Sequence, residues 1–360
     1  MPSFLNPSTV EELAEAVRSV PRIIAVGAGT KPRLSALDVP QLSLTQLRGI
    51  VEYDPGEFTF TAFAGTPVRD IAAALAEQGQ YLPFDPVLLD AGSTLGGTIA
   101  SGVSGPGRFR FGGIRDFILG VRFVDGGGRL LRLGGKVVKN AAGFDLPKFF
   151  VGSLGRFGVL AEVTLKVFPR PASTLTLRLE AQNIEAATSI LLNAAGRRWE
   201  LDALDIPPGD LSIVMRLAGP AAALQSIACE ILFEWPGRIL ADDEAETLWG
   251  NLREFAWAHR DGFLARVALA PAQLSPLHHL LGTLDDVRFH VSAGGNMAFV
   301  SLPPAADPRK LSQGLSALAL SGVMLRGAGS LWLGLRDETQ VAVAVKRAMD
   351  PQHRFPTLDD

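Results

Sequence analysis

The seven residues Gly92-Ser93-Thr94-Leu95-Gly96-Gly97-Thr98 constrain this chain more than any other stretch. Glycine lets a backbone adopt positive φ and come close to a ligand, while bare amides and hydroxyls offer donors to anionic oxygens. A loop of this composition can cradle a pyrophosphate without a lysine. The same string also suits a plain turn, so its surroundings must decide. The glycines are unevenly spread: of 38 in 360 residues, a dense group runs from Gly92 to Gly158, and the chain after Pro171 is poorer in them.

Two other phosphate-binding designs fail on the residues. A dinucleotide fingerprint needs G-x-G-x-x-G between strand and helix. Gly27-x-Gly29 follows the short apolar strand Ile23 to Val26, but Pro32 stands where the third glycine belongs and no clear helix follows. A Walker A loop needs G-x-x-x-x-G-K-[ST]. Gly135-Lys136 is followed by Val137, and Leu130 occupies the first glycine position.

Composition sets the outer limits. At roughly 150 residues per domain the length predicts about two domains. A formal net charge of -3 gives no electrostatic footprint for nucleic acid. The one cysteine, Cys229, excludes an intramolecular disulfide, a cysteine-based zinc site and an iron–sulfur cluster within the chain. Its place in an apolar helix predicts a small core residue, and cysteine usage fits a reducing compartment. Met1 to Pro7 has no export signal, and the uncharged run Leu311 to Leu325 is shorter than the ~20 residues that span a bilayer. A soluble cytoplasmic protein without direct membrane insertion is expected, with peripheral attachment at the inner face of the membrane through partners left open.

Periodicity predicts a mixed architecture. Ser8 reads as the N-cap of a helix carrying Val10, Leu13, Ala14 and Val17 on one face, and a second helix runs from Val68 to Gln78. Ile118–Val124 and Arg129–Leu133 read as a hairpin turning at Asp125-Gly126-Gly127-Gly128, with Gly158–Phe168 a further strand. Phe168-Pro169-Arg170-Pro171 is the boundary candidate. Beyond it, strands are expected at Thr174–Glu180, Phe263–Leu269, Val287–Val291, Ala298–Leu302 and Ser330–Leu335. Helices are expected at Asp242–His259, Pro308–Leu320 and Asp337–Met349, which together suggest an antiparallel α+β lobe. No internal repeat is visible.

Five blocks in order, spanning about residues 5–170, resemble the flavoproteins with an FAD-binding domain of the p-cresol methylhydroxylase and vanillyl-alcohol oxidase type, and within them the FAD-binding subunits of bacterial glycolate oxidase. Ile24-Ala-Val-Gly27-Ala-Gly29-Thr30-Lys31 is similar to the first FAD loop and Gly92 to Gly102 to the pyrophosphate loop. Gly113-Ile-Arg115-Asp116-Phe-Ile-Leu-Gly-Val121, Lys136-Val-Val-Lys139-Asn140-Ala-Ala-Gly143-Phe-Asp145-Leu146 and Gly152-Ser-Leu-Gly-Arg-Phe-Gly158-Val159-Leu160 resemble the later blocks. The terminal Val345-Lys-Arg-Ala-Met-Asp350-Pro351 is similar to the family's last helix and its D-P. The resemblance implies an α+β fold: a two-subdomain FAD domain over residues 1–170 (about 1–55 and 56–170), an antiparallel α+β cap over 171–335, and a helix and tail, 336–360, returning to the FAD domain.

By that resemblance Gly27, Gly29, Thr30 and Lys31 lie near the phosphates or adenosine, and Gly92, Ser93, Thr94, Gly96, Gly97, Thr98 and Ser101 hold the pyrophosphate. Lys139, Asn140, Gly143 and Asp145 sit toward the isoalloxazine with Arg115 and Asp116, while Gly158 and Val159 pack on the dinucleotide. A pyrophosphate brings about two negative charges that donors must compensate. A cation near the flavin raises its potential, and Lys139 and Arg115 are the candidates. The loops lack the histidine or cysteine that tethers FAD in some relatives, so noncovalent FAD is expected.

One departure bears on function. Related 2-hydroxy-acid dehydrogenases carry a cap metal motif G-D-G-N-x-H, whereas Ala293-Gly294-Gly295-Asn296-Met297-Ala298 has Gly294 and Ala298 at the ligand positions. His259, His278, His279, His290 and His353 form no ligand pair and show no obvious carboxylate partner, so no metal is expected. The leading expectation is an FAD subunit of a glycolate oxidase-type complex, with a sister FAD subunit and an iron–sulfur subunit as partners and a small 2-hydroxy acid as substrate. A free-standing FAD oxidoreductase would need a carboxylate clamp, for which Arg110, Arg266 and Arg326 are candidates. A non-catalytic protein with a vestigial flavin site could use Trp249, Phe255 and Trp257 as an interface, although core positions suit those aromatics better.

Overall fold

The computed structural model describes residues 4–135, 145–336 and 340–360. It divides into two compact units. The first comprises Met1–Ser104, Gly113–Arg170 and Asp337–Asp360, and the second comprises Gly105–Gly112 and Pro171–Arg336.

The first unit holds two sheets. A small parallel sheet orders Phe4–Leu5, Gln41–Ser43 and Ile24–Val26. A five-stranded antiparallel sheet runs Ile50–Asp54, Thr59–Phe63, Val159–Lys166, Ile118–Val124 and Leu130–Gly134. Val159–Lys166 is central and buried apart from its last residue, and its polar positions are partnered across the sheet: Thr164 shares a hydroxyl bond with Thr61 at 2.8 Å and Glu162 pairs with Arg122 at 2.5 Å. The hairpin forms as expected, with its second strand one residue later than read. The helix Val10–Ser19 buries Val10, Leu13, Ala14 and Val17, but its N-cap is Thr9, whose Oγ1 accepts the Glu12 N–H at 3.1 Å. Ser8 instead donates its N–H and hydroxyl to the Glu12 carboxylate at 2.8 and 2.9 Å, satisfying the same helix end from one residue earlier.

The second unit is a tandem of one topology. Ser173–Leu179, Ile184–Ala195, Ala203–Asp205, Ile213–Gly219, Ala221–Glu234 and Gly237–Ile239 form a βαββαβ unit with strands in the order second, third, first, fourth. Phe263–Ala268, Leu274–Leu281, Arg288–Ser292, Met297–Leu302, Pro308–Ala317 and Ser321–Arg326 repeat that path and order, with Trp332–Gly334 added at the edge. The second strands of the two halves meet: Ile206 and Val291 exchange N–H···O bonds at 2.8 and 3.0 Å. One apolar core, including Leu191, Met215, Leu277 and Met324, joins both halves. No repeat was legible because burial on both faces leaves strands such as Ile213–Gly219 without an alternating pattern.

Three further expectations are corrected here. The helix expected over Pro308–Leu320 closes at Ala317, three residues early, and the chain turns into the strand Ser321–Arg326, which needs its own backbone partners in the sheet. The helix from Asp242 ends at Glu254, where Phe255 turns left-handed at φ 53°. Cys229 is exposed, because Leu224, Ala228 and Ile231 form the buried side of its helix. Trp249 and Phe255 are core residues, and the Trp249 indole donates to Thr176 Oγ1 at 3.0 Å.

Candidate functional site

Three segments of the first unit surround a cleft. The first wall follows the strand Ile24–Val26, held in register because Leu44 N–H bonds Val26 O at 2.9 Å. Its Gly27 has no room for a side chain: a Cβ there would lie 2.1 Å from Thr94 Oγ1 of the second wall. Gly29 sits at φ +68°, where glycine carries no steric cost.

The second wall is pinned from behind. Gly96 N–H donates to Ala64 O at 2.7 Å and Leu95 N–H to Thr66 O at 2.9 Å, so the Gly96 Cα faces Ala64, whose Cβ would be 2.8 Å from an added methyl. Thr94 caps the helix Leu95–Ser101, its Oγ1 accepting the Gly97 N–H at 3.3 Å. The third wall, Ser153-Leu154-Gly155, hangs from that helix's carbonyls: Gly152 N–H bonds Ile99 O at 3.0 Å and Leu154 N–H bonds Ala100 O at 2.9 Å. This wall was missed in sequence, although the string Gly152-Ser-Leu-Gly155 carried the same glycine signal as the other two.

Sequence candidates therefore separate into three groups. Gly27, Gly29, Thr30 and Lys31 line the cleft, as do Thr94, Gly96, Gly97, Ser101 and Gly158. Gly92, Ser93, Thr98 and Val159 stand behind the lining: the Ser93 hydroxyl donates to Val87 O at 3.0 Å and that of Thr98 to Thr94 O at 3.0 Å. Arg115 and Asp116 are exposed on the short turn Ile114–Asp116, and Asp145 pairs with Lys148 at 2.8 Å, all outside the lining. Lys139, Asn140 and Gly143 lie outside the described residues. Among those described, Lys31 is the charged side chain in the lining, and it is buried, with Nζ 3.4 Å from Thr30 Oγ1.

In the second unit the three arginine candidates differ. Arg110 pairs with Glu200 at 2.8 Å. Arg326 donates to His259 O at 2.6 Å and Gly262 O at 3.3 Å, tying down a turn. Arg266 projects from the central strand Phe263–Ala268, and burial, reinforced by the nearby Arg108 guanidinium, pulls its pKa down to about 10.

The histidine expectation needs correcting at two positions: His259 Nε2 lies 3.7 Å from Asp286 Oδ2, and His290 is paired more tightly. His290 is buried and its Nε2 lies 2.8 Å from Asp205 Oδ2. The Asp205 carboxylate also accepts the Ser292 hydroxyl at 3.0 Å and the Ala293 N–H at 3.0 Å, bracing the turn Ala293–Gly295 at the seam of the two repeats. The partners are 85 residues apart, so no local spacing announced them. Gly294 in that turn accommodates Phe109, whose Cε2 would be 2.6 Å from an added Cβ. Among the described residues no three His, Cys, Asp or Glu side chains cluster as metal ligands, and no helix is long and apolar enough to cross a membrane.

Comparison with known proteins places this cleft. Residues 2–134 match the FAD binding domain family. Glycolate oxidase subunit GlcE of Escherichia coli (strain K12) is 37% identical over 253 residues, covering 69% of this chain and 68% of that one. The chain belongs to this FAD-binding oxidoreductase family. Other members match a shorter stretch: glycolate oxidase subunit GlcD of Bacillus subtilis (strain 168) is 34% identical over 41% of this chain. D-lactate dehydrogenase of Anaerostipes hadrus is 32% identical over 40% of it. This chain spans about a third of the length of those two (31% and 30%). An alkyldihydroxyacetonephosphate synthase structure shares the fold, with TM-score 0.69 and 16% identity over 97% of this chain and 76% of that one.

The family's cofactor is FAD, and the cleft suits it. Its walls carry main chain at Gly27, Gly96 and Gly97, where an added Cβ would collide with Thr94 or Ala64, with hydroxyls and one buried ammonium beside them. A dinucleotide's pyrophosphate requires that donor set.

Proposed function

We propose that this chain is the FAD-binding subunit of a glycolate oxidase-type complex, in which a small 2-hydroxy acid, glycolate, is oxidised to glyoxylate and the electrons pass to a partner subunit. The observation that carries the reading is a glycine-walled cleft in a chain 37% identical to a glycolate oxidase subunit over 69% of its length.

In this reading the main chain around Gly27 and Gly29, with the Thr30 and Thr94 hydroxyls, meets the pyrophosphate and Lys31 offsets its charge, while Gly96 and Gly97, whose N–H groups are held by Ala64 O and Thr94 Oγ1, keep the second wall bare of side chains. Ser93, Thr98 and Gly92 fix the loop that presents those groups. Lys139, Asn140 and Gly143 belong to the isoalloxazine end by family resemblance, and FAD is held without a covalent link. When bound, FAD supplies a two-electron acceptor. Glycolate becomes glyoxylate by giving up two electrons and two protons. Arg266 with Arg108 is the place in the second unit best suited to a substrate carboxylate, since a bound anion would offset the repulsion between them. The chain's single cysteine cannot ligate an iron–sulfur cluster, so an onward one-electron carrier of that kind belongs to a partner, and a sister FAD subunit is the other expected neighbour.

An anaerobic visible spectrum before and after glycolate tests the reading. Oxidised-flavin absorbance that glycolate bleaches means this chain holds a working substrate site. Absorbance that glycolate leaves intact, but that bleaches once the partner subunits are added, assigns the substrate site to the complex. Failure to take up FAD removes the proposal.

A further inference from the structure

Behind the cleft lies a buried polar network that the flavin reading does not use. Arg156 is 2% exposed, and its Nη1 donates to two carbonyls on opposite walls, Leu34 O at 3.4 Å and Leu154 O. Both residues line the cleft. Its Nη2 donates to Asp360 O, in the segment that ends the chain as given.

That last segment holds the arginine in turn. Lys346 Nζ donates to Arg156 O at 2.7 Å, to Asp350 Oδ2 at 2.6 Å and to Phe355 O at 3.2 Å. The fully buried Asp350 accepts the N–H groups of Arg354 at 2.8 Å and Phe355 at 3.0 Å. Arg354 O accepts the N–H of Ile23, immediately before the strand that feeds the first wall. Gly126 N–H bonds Met349 O at 2.8 Å, and a Cβ on Gly126 would fall 2.2 Å from Asp350 Oδ1. The segment therefore grips the root of the first wall and the residue that spans the first and third walls.

The geometry points to Arg156 as a positioning residue for the FAD cleft, set in place by docking of residues 346–360 through Lys346 and Asp350, so that FAD binding and docking of this segment are coupled. A guanidinium suits the task because its planar fork holds widely separated carbonyls in one fixed geometry, whereas an ammonium gathers its acceptors around a single point on a flexible stem. Coupling of this kind is reciprocal: if the docked segment favours FAD, FAD must favour the docked segment.

This inference rests on FAD occupying the cleft, and the test separates the two. Amide hydrogen exchange is followed in the full-length protein with and without FAD, alongside FAD titration by flavin fluorescence. The expected result in the wild type is slower exchange at Arg354 and Phe355 on FAD binding, beyond any slowing at the outer strand Leu130–Gly134. Arg156→Lys and Asp350→Asn are expected to weaken FAD binding about tenfold or more, the scale of one charge-assisted hydrogen bond, and to abolish the extra protection. A purely structural role would lower the melting temperature of the FAD-free variants while leaving the FAD dissociation constant and the exchange pattern unchanged; that outcome overturns the inference. The wild-type exchange measurement decides even if a variant fails to fold. Absence of FAD uptake by the wild type overturns the cleft reading, and this inference with it.

Discussion

Around the cleft the polar surface is main chain bared by Gly27, Gly96 and Gly97, with Lys31 beside it, whereas the second unit buries ionisable side chains. Arg216 meets Asp202 at 2.5 Å, His290 meets Asp205 at 2.8 Å, and Arg266 lies near Arg108. A backbone site is sensitive to what is added, since one methyl group fills it. A buried charge cluster is sensitive to what is removed, since each deletion strands a partner in low dielectric. The cleft walls and the second unit's clusters should therefore break under opposite kinds of substitution.

The largest expected effect is in the second unit. Asp205→Ala leaves His290, the Ser292 hydroxyl and the Ala293 N–H without their shared acceptor, and should cost about 3–5 kcal/mol in denaturant unfolding. A loss under ~1 kcal/mol, the scale of an exposed pair, would mean the cluster is not desolvated as described. Next comes Gly27→Ala, whose Cβ must displace Thr94. Overpacking of about 1–3 kcal/mol corresponds to roughly ten- to hundredfold weaker FAD binding by titration. Unchanged affinity would show that the two loops part freely.

Arg266→Met probes the arginine pair. Glycolate should raise the melting temperature of the wild type and not of the variant; equal shifts in both would remove Arg266 as the carboxylate anchor. Arg110→Ala should change stability by less than ~1 kcal/mol, since Glu200 is largely exposed and water screens the pair.

The smallest effect is a pH dependence at the first helix. The Ser8 N–H, and then its hydroxyl, hold the Glu12 carboxyl below the ordinary carboxylate range. A lowered folded value means that this contribution is complete above the ordinary glutamate pKa and is lost as pH falls through the folded one. Glu12→Gln should flatten the acid limb of a melting-temperature profile slightly, and an identical limb in both proteins would assign the dependence elsewhere.

The difference between the units also explains what the sequence disclosed. A site made of backbone must be written in glycines, and Gly27, Gly29, Gly96, Gly97 and Gly158 could be read directly as its lining. Loop positions that only support the lining, Ser93 and Thr98, look the same in sequence as those that face it, because a hydroxyl does not announce which way it donates. In the second unit the decisive contacts join residues far apart in the chain, and Asp205 with His290 obeys no local period. Its repeat was hidden for a related reason: topology is conserved between the halves through strand order, while their buried strands share only apolar character. Arg156 lay within a block read for its glycines, and its role depends on carbonyls from Leu34 and Asp360 that no motif joins.

The first unit is assembled from three separate stretches of chain, with Asp337–Asp360 the last of them. A ribosome releases residues in order, and domains generally close as their final segment emerges. Ile23 must wait for the carbonyl of Arg354, and Arg156 for Lys346, until translation has passed through the whole tandem-repeat unit. The first unit's fold is thus completed only after the second unit has been made.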